Sequence, residues 1–156
     1  MQVKFKKLHP EAKLPMQMSS KAGAWDVTAT EVIEEEPGYV ICKLGFALAP
    51  PPKHRIILVP RSNLTKYGWV LANSVGVGDE DYTGEYQFRF RALPKFEVRI
   101  DGVVQTINIT IPEFPYKKYD RVGQIWVEKV EDINFVEVVE LNPTDRGVGG
   151  FGSTGL

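Results

Sequence analysis

The chain has 156 residues, of which 43% are hydrophobic and 25% charged, a balance typical of a single globular domain. Its formal net charge of −1 argues against a nucleic-acid backbone or an anionic membrane as partner, and its apolar runs are too short to span a bilayer. The lone Cys42 excludes an internal disulfide and fits the reducing cytoplasm. The chain has only two histidines, which argues against a zinc site or a Ser-His-Asp triad. Any bound metal should therefore be a hard ion with oxygen ligands.

Short runs rich in β-branched and aromatic residues predict strands along most of the chain. The first run alternates Val3 and Phe5 with lysines, and Asp101-Gly102 separates two later runs as in a tight hairpin. The one predicted helix begins with Ser62 as its capping residue and ends at a glycine after one or two turns. The other strands are predicted over residues 25–28, 39–42, 55–59, 86–90, 96–100, 103–111, 124–130 and 135–139.

This pattern predicts an all-β fold, either a sandwich, a jelly roll or a barrel, with at most one short helix. The last eleven residues, 146–156, contain five glycines together with Arg146, Phe151 and two hydroxyl side chains. Such a tail could close over a ligand with a flat base and an anionic end, or it could be a frayed terminus.

Five polar or aromatic residues suit a phosphorylated substrate, although each has a purely structural alternative. Arg61 precedes the short helix and could bind phosphate, or it could be solvated beside a surface turn. Asp79 could be a general base and Tyr82 a flat surface for a sugar, or both could be turn residues. Asp26 could serve a site or cap backbone N–H groups, and Gln124 could contact phosphate or begin a strand.

The order of these segments resembles the homotrimeric dUTPases, including phage-type members. The five matching stretches are AGAWDV (22–27), PRSNL (60–64), NSVGVGDEDYTGE (73–85), YDRVGQ (119–124) and RGVGGFGSTG (146–155), of which the third and fifth are highly specific. The resemblance implies a trimeric β jelly roll over 1–145, with active sites at subunit interfaces. It also implies a glycine-rich lid over 146–156 that reaches across to a neighbour's site.

The resemblance implies Mg²⁺-dependent hydrolysis of dUTP to dUMP and pyrophosphate, in the host cytoplasm if a phage encodes the protein. Asp79 would activate the attacking water and hold the deoxyribose 3′-OH, and Arg61 would steady it. Tyr82 would stack under the deoxyribose and exclude a 2′-OH. The uracil edge would be read by Asn73 and by backbone groups near Val77 and Gly78.

The resemblance also implies how the phosphates and the metal are held. Asp26 would lie near the magnesium through water. The phosphate cradle would consist of Arg61, Ser62, Asn63 and Gln124. The arm would supply Arg146, Ser153 and Thr154 at the γ-phosphate and Phe151 over the uracil, with Gly152 beside them.

Three departures from the family pattern stand out. Asn63 occupies a position where glycine or serine is usual, and Gly123 one where alanine is usual. The connection over 86–118 is longer than usual and is interpreted either as an extended hairpin or as a surface for oligomer contacts or a partner protein. Long loops are tolerated at little cost, which favours the plain hairpin.

Two alternative functions stay open from the sequence. One is a dCTP deaminase, or a bifunctional deaminase and dUTPase, on the same fold. The other is a regulatory protein-binding module that retains the dUTPase shell.

Overall fold

The computed structural model describes residues 1–101 and 104–150, and these residues form an antiparallel β fold. The strands are β1 Lys4–Lys7, β2 Trp25–Thr28, β3 Glu31–Glu36, β4 Tyr39–Lys43, β5 Phe46–Ala49, β6 His54–Pro60, β7 Trp69–Leu71, β8 Gly76–Gly78, β9 Gln87–Ala92, β10 Lys95–Asp101, β11 Val104–Thr110 and β12 Arg121–Lys129. A short 3₁₀ helix, Ser62–Lys66, joins β6 to β7. No helix of this described part is long and apolar enough to cross a membrane.

Two four-stranded sheets enclose the core. One has the order β2-β12-β6-β8 and the other the order β3-β4-β9-β7, with β1-β5 and β10-β11 as two-stranded additions. Burial along β9 alternates, with Phe88 and Phe90 inside and Arg89 and Arg91 outside, as a strand with one buried face requires. The predicted all-β jelly roll is therefore confirmed.

Two glycines of the first sheet make room for aromatic rings, one from β9 of the second sheet and one from the residue just before β9. A Cβ added to Gly123 would lie 2.8 Å from Cε2 of Phe88, and one added to Gly78 would lie 2.7 Å from Cε1 of Tyr86. Real Cβ atoms do not approach other atoms that closely, so both positions need glycine as long as the rings stay in place.

The strand prediction was right for most of the sheet and wrong at one end. Strands β3, β5 and β7 were not predicted, because they are short or interrupted by charge. Residues 135–139 were predicted as a strand but have no ladder partner among the residues that the structure describes, and Phe135 is 91% exposed. A β-prone segment stays outside a sheet when no neighbouring strand offers hydrogen bonds to it.

The helix prediction was right in place but wrong in its cap. Arg61, not Ser62, occupies the N-cap position, and no side chain caps the helix. The Ser62 carbonyl instead accepts a hydrogen bond of 2.8 Å from Thr65 Oγ1. A single 3₁₀ turn is too short to present the extended N-terminus that a longer helix would offer to phosphate.

The predicted hairpin is confirmed for the strands on either side of Asp101-Gly102. Strands β10 and β11 pair antiparallel from Lys95 opposite Thr110 to Asp101 opposite Val104, while Gly102 lies outside the described residues. This hairpin forms a sheet of its own, whereas β9 belongs to the core. The extended hairpin that was predicted for residues 86–118 therefore occupies only the β10–β11 part of that segment.

Candidate active site

A cleft of about 200 Å³ opens where β8 ends and the acidic turn begins. Strand β8 pairs with β6, which places Gly78 opposite Ile56 and leads the chain into the turn at Asp79. The backbone N–H of Tyr82 donates to the Asp79 carbonyl at 3.2 Å, and Tyr82 Oη donates to the Glu85 carbonyl at 2.9 Å. The cleft is lined by Leu58, Asn73, Gly76, Val77, Gly78, Asp79, Tyr82, Glu85, Tyr86 and Gln87.

Tyr86 forms part of the wall of this cleft and was not predicted as a site residue. Its ring is buried, and it packs edge-on against Tyr82 with the ring centroids 5.3 Å apart. Burial raises the pKa of the Tyr86 hydroxyl to about 12, with smaller contributions from Tyr82 and Asp79. The only sequence signal was an aromatic residue two positions before an inward-facing phenylalanine.

A second cleft, of about 250 Å³, is polar and lies beside the 3₁₀ helix. Tyr116 Oη donates to Asn63 Oδ1 at 2.8 Å, which fixes the orientation of the Asn63 amide. Arg61 Nη1 donates to the Arg121 carbonyl at 3.2 Å. The lining residues are Arg61, Asn63, Tyr67, Pro115, Tyr116, Asp120 and Arg121.

Asp26 connects the cationic and amide side chains near this second cleft. It is only 5% exposed, and it stands directly opposite Gln124 in the pairing of β2 with β12. Its Oδ2 accepts from Arg121 Nη1 at 2.9 Å and lies 3.8 Å from Arg61 Nε, while its Oδ1 accepts from Gln124 Nε2 at 2.8 Å. A buried carboxylate needs such partners, and here it holds three potential phosphate-binding side chains in position.

These contacts test whether Asp26 suits a metal ion. Both of its oxygens already accept hydrogen bonds, so the carboxylate fits contact with Mg²⁺ through water better than direct ligation. Within residues 1–101 and 104–150, no group of three or more His, Cys, Asp or Glu side chains is placed to hold a metal ion.

Comparison with known proteins decides between the interpretations of these clefts. The family model described as dUTPase matches residues 10–155. The chain belongs to the dUTPase family. It is 33% identical to the deoxyuridine 5′-triphosphate nucleotidohydrolase of Wolinella succinogenes, over 99% of this chain and 95% of that protein. It is 32% identical to the enzyme of that name from Nautilia profundicola, over 99% of each.

Solved structures show the same fold. The dUTPase of Staphylococcus bacteriophage 80alpha, in a structure with dUPNHPP, superimposes with a TM-score of 0.76 at 20% identity and covers 99% of both chains. These relatives make the chain a hydrolase that acts on acid anhydrides, and they give no support to the deaminase or regulatory alternatives.

The dUTPase chain brings its predicted site residues into two groups. Asn73, Val77, Gly78, Asp79 and Tyr82 line the first cleft. Two of the predicted phosphate-binding residues, Arg61 and Asn63, line the second cleft. Gln124 lies near this cleft because its amide donates to Asp26. Ser62 is exposed at the start of the helix.

One predicted contact is absent, and the arm is separate from both groups. Within the described part of one chain, Arg61 pairs with Asp26 and makes no hydrogen bond or ion pair with Asp79. Arg146 lies in an exposed turn and donates to the Gly149 carbonyl at 2.9 Å. The other predicted arm residues, Phe151, Gly152, Ser153 and Thr154, lie outside the described residues.

Proposed function

We propose the following mechanism for the dUTP diphosphatase activity that family membership assigns to this chain. Asp79 orients a water molecule in line with the α-phosphorus and accepts its proton as the water oxygen attacks. The bond between the α-phosphorus and the bridging oxygen breaks, which yields dUMP and pyrophosphate. Since an aspartate is a modest base near neutral pH, positioning supplies most of the rate enhancement. The observation that carries this proposal is the placement of Asp79 and Tyr82 on one turn at the mouth of a cleft.

The first cleft would hold the nucleoside. The Asn73 amide and the backbone at Val77 and Gly78 would read the uracil edge, because a buried polar group left unpaired by cytosine is costly. The Tyr82 ring would lie against the deoxyribose and leave no space for a 2′-OH. The flat ring and the adjacent carboxylate both face this cleft in the unliganded chain.

The second cleft would hold the phosphates. Arg61 and Gln124 are oriented by the buried Asp26, so they are preorganised to neutralise charge on the departing pyrophosphate. Ser62 and Asn63 would add hydrogen bonds to phosphate oxygens. Arg146, Ser153 and Thr154 would bind the γ-phosphate, with Phe151 and Gly152 closing over the base.

A magnesium ion fits this arrangement as a partner of the triphosphate. When bound, it would neutralise phosphate charge, and Asp26 would contact it through water. Enzymes of the family are metal-dependent in general, and the dUTPase of phage phi11 of S. aureus coordinates a structural Mg(II) ion. In this scheme, the main role of Asp26 is to hold the Arg61 and Gln124 side chains in position for the phosphates.

We also propose that the active site is shared between subunits of a homotrimer. The two clefts have no lining residue in common, and Arg61 does not reach Asp79 in one chain. Residues 130–148 are exposed and carry large apolar side chains, which suits contact with a second subunit. The apolar side chains are Val130, Ile133, Phe135, Val136, Val138, Val139, Leu141 and Val148.

Mixing two inactive variants tests this sharing. Asp79→Asn chains and chains that lack residues 146–156 would be unfolded and refolded together. If base and lid come from different subunits, roughly a quarter of the sites in randomly mixed trimers should be intact and the mixture should regain activity. If they come from one chain, the mixture stays inactive at any ratio.

The hairpin β10–β11 supports a further contact, which we assign to another subunit. Phe96 pairs with Ile109 and Val98 with Ile107, so these four exposed side chains share one face. A two-stranded sheet with an uncovered apolar face is marginal in water, which favours a permanent cover. Deleting residues 95–110 should therefore reduce the mass below that of a trimer. An intact trimer with full activity would leave a foreign protein as the partner of this face.

A panel of deoxynucleoside triphosphates with Mg²⁺, assayed for pyrophosphate, tests the function itself. We expect selective hydrolysis of dUTP and its near abolition in Asp79→Asn. Equal turnover of dTTP, an unaffected variant, or ammonia released from dCTP would contradict the assignment.

A further inference from the structure

Two departures from the family pattern meet at the second cleft. Asn63 stands where glycine or serine is usual, and Tyr116 belongs to the connection over 86–118, which is longer than usual. Tyr116 Oη donates to Asn63 Oδ1 at 2.8 Å, and both residues line this cleft. Tyr116 has no role in the scheme above, although it is the partner of a residue that would bind phosphate.

The core holds Tyr116 in place. Tyr116 is only 6% exposed, and its ring packs edge-on against Phe114 with the centroids 5.5 Å apart. The Phe114 ring in turn packs edge-on against Trp69, with the centroids 4.8 Å apart. Trp69 Nε1 donates to the carbonyls of Pro112 and Glu113, both at 3.1 Å, and so holds the end of the long connection against the core. The Tyr116 hydroxyl is therefore presented to the cleft from a fixed position.

This hydroxyl decides which part of the Asn63 amide is free. Burial raises the pKa of Tyr116, so its hydroxyl keeps its proton at neutral pH and can donate. An asparagine amide has one acceptor oxygen and one NH₂ donor group, which lie on opposite sides of a planar group. With Oδ1 occupied by Tyr116, the Nδ2 group is left to donate, and it has no hydrogen-bond partner within residues 1–101 and 104–150.

The charges of this cleft favour an anionic ligand for the free donor. The guanidinium groups of Arg61 and Arg121 line the cleft together with the carboxylate of Asp120. That carboxylate is already engaged, because its Oδ2 accepts from the Lys117 N–H at 2.7 Å. Asn63 Nδ2 can donate but cannot accept, so a phosphate oxygen of the substrate is a suitable partner for it.

We propose that Tyr116 is a positioning residue for substrate binding, which holds the Asn63 amide so that its Nδ2 donates to a phosphate oxygen of dUTP. The inference rests on the proposed function, which places the phosphates in the second cleft. A glycine at position 63 has no side-chain donor, so this contact belongs to the chain that carries both departures. The end of the long connection thereby serves the phosphate site, whatever covers the β10–β11 hairpin.

Tyr116→Phe removes only the oxygen and tests this proposal with dUPNHPP, a dUTP analogue, as the ligand. We expect Kd for the analogue and KM for dUTP to rise about three- to fivefold, because the amide remains but is no longer held in one orientation. The kcat should change by less than about twofold, since the contact is made in the ground state and the transition state alike. Kd for deoxyuridine, which has no phosphate, should not change.

Variants of Asn63 show whether Tyr116 acts through the amide. Asn63→Gly should raise Kd for dUPNHPP about tenfold, and Tyr116→Phe in the Asn63→Gly background should add nothing further. Asn63→Asp keeps the acceptor for Tyr116 but replaces the donor by a carboxylate, so it should weaken the analogue by at least about tenfold. Wild-type affinity in Asn63→Asp, or an equal effect of Tyr116→Phe with and without Asn63→Gly, would overturn the inference.

Tyr39→Phe in β4 is the matched control, because it removes a tyrosine hydroxyl from the other sheet and should leave Kd unchanged. A Tyr116 hydroxyl that serves only the core would lower the melting temperature in Tyr116→Phe and leave Kd for dUPNHPP unchanged, which would also overturn the inference. Arg61→Met separates the two levels of the argument. If it weakens the analogue while Tyr116→Phe binds as wild type, only the role of Tyr116 fails. If Arg61→Met also binds as wild type, the proposed placement of the phosphates fails.

Discussion

Asp26→Asn should destabilise the fold and slow catalysis by releasing the side chains that Asp26 holds. Hydrogen bonds to a charged group contribute about 1.5–3 kcal/mol each, and Asp26 accepts one from Arg121 and one from Gln124. The asparagine keeps one acceptor but turns an amide donor toward the other side chain. Because the Arg121 side chain is 37% exposed, water compensates part of the loss. We therefore expect the free energy of unfolding to fall by about 2 kcal/mol.

Urea denaturation and steady-state kinetics at several Mg²⁺ concentrations measure the two effects together. Arg121→Met is the matched partner variant, because it removes the shortest ion pair of Asp26 and leaves the carboxylate in place. If the two residues act through each other, the double variant should be less destabilised than the sum of the singles, by about 1 kcal/mol or more.

The dependence on Mg²⁺ separates this account from direct ligation. With Asp26 in contact with the ion only through water, the half-saturating Mg²⁺ concentration should rise by no more than about 10- to 100-fold in Asp26→Asn. Additive destabilisation in the double variant, or a larger loss of Mg²⁺ affinity with Arg61 and Gln124 still able to bind phosphate, would refute the reasoning.

Three other changes test separate parts of the structure. Gly123→Ala should cost about 1–3 kcal/mol by urea denaturation because the new methyl meets the Phe88 ring, and Phe88→Leu in the same chain should recover part of the loss; an unaffected Gly123→Ala would contradict the packing. Removal of residues 146–156 should leave a folded trimer that binds dUTP weakly and hydrolyses it poorly, and full activity after truncation would exclude a lid. Burial raises the pKa of the Cys42 thiol from 9.0 to about 12, so the unfolded chain releases this proton more readily and stability should fall from pH 9 upward. Cys42→Ala should lose less stability over that range, and rapid labelling of native Cys42 by a thiol reagent at pH 8 would show that the thiol is not buried.

The sequence predicted the strands that carry their own signal and missed those that depend on partners. Period-two alternation in 86–92 reports a face buried against one core, and it can be read without knowing the rest of the fold. Strand β7 has three residues and exists because β9 lies beside it. Residues 135–139 have strand composition but pair with no strand of the described part of the chain, so composition alone could not distinguish a strand from a segment available to another subunit.

The site was predicted by residue type and position, but its internal connections were not. Asp26, Arg121 and Gln124 are far apart in sequence, and their hydrogen bonds depend on the register between β2 and β12. A shift by one residue would turn Gln124 to the opposite face of its strand. The sequence could therefore suggest that Asp26 lies near the metal through water, but not that both of its oxygens accept hydrogen bonds from protein donors.

Position 123 has glycine where the resemblance to the family leads us to expect alanine, and position 78 has glycine as well. The two glycines have the same physical explanation. Both glycines belong to the sheet that carries the site, and they face aromatic side chains two residues apart: Tyr86, which directly precedes β9, and Phe88 within β9. The Phe88 ring fills the space over Gly123 with apolar atoms only, whereas the Tyr86 ring brings a buried hydroxyl against Gly78 that has no hydrogen-bond partner among the described residues. Packing alone would be satisfied by phenylalanine at both positions. Tyr86→Phe should therefore keep the packing and leave the free energy of unfolding, measured by urea denaturation, unchanged or higher, because an unpaired buried hydroxyl is removed. A clear loss of stability in this variant would show that the hydroxyl is paired in the folded protein.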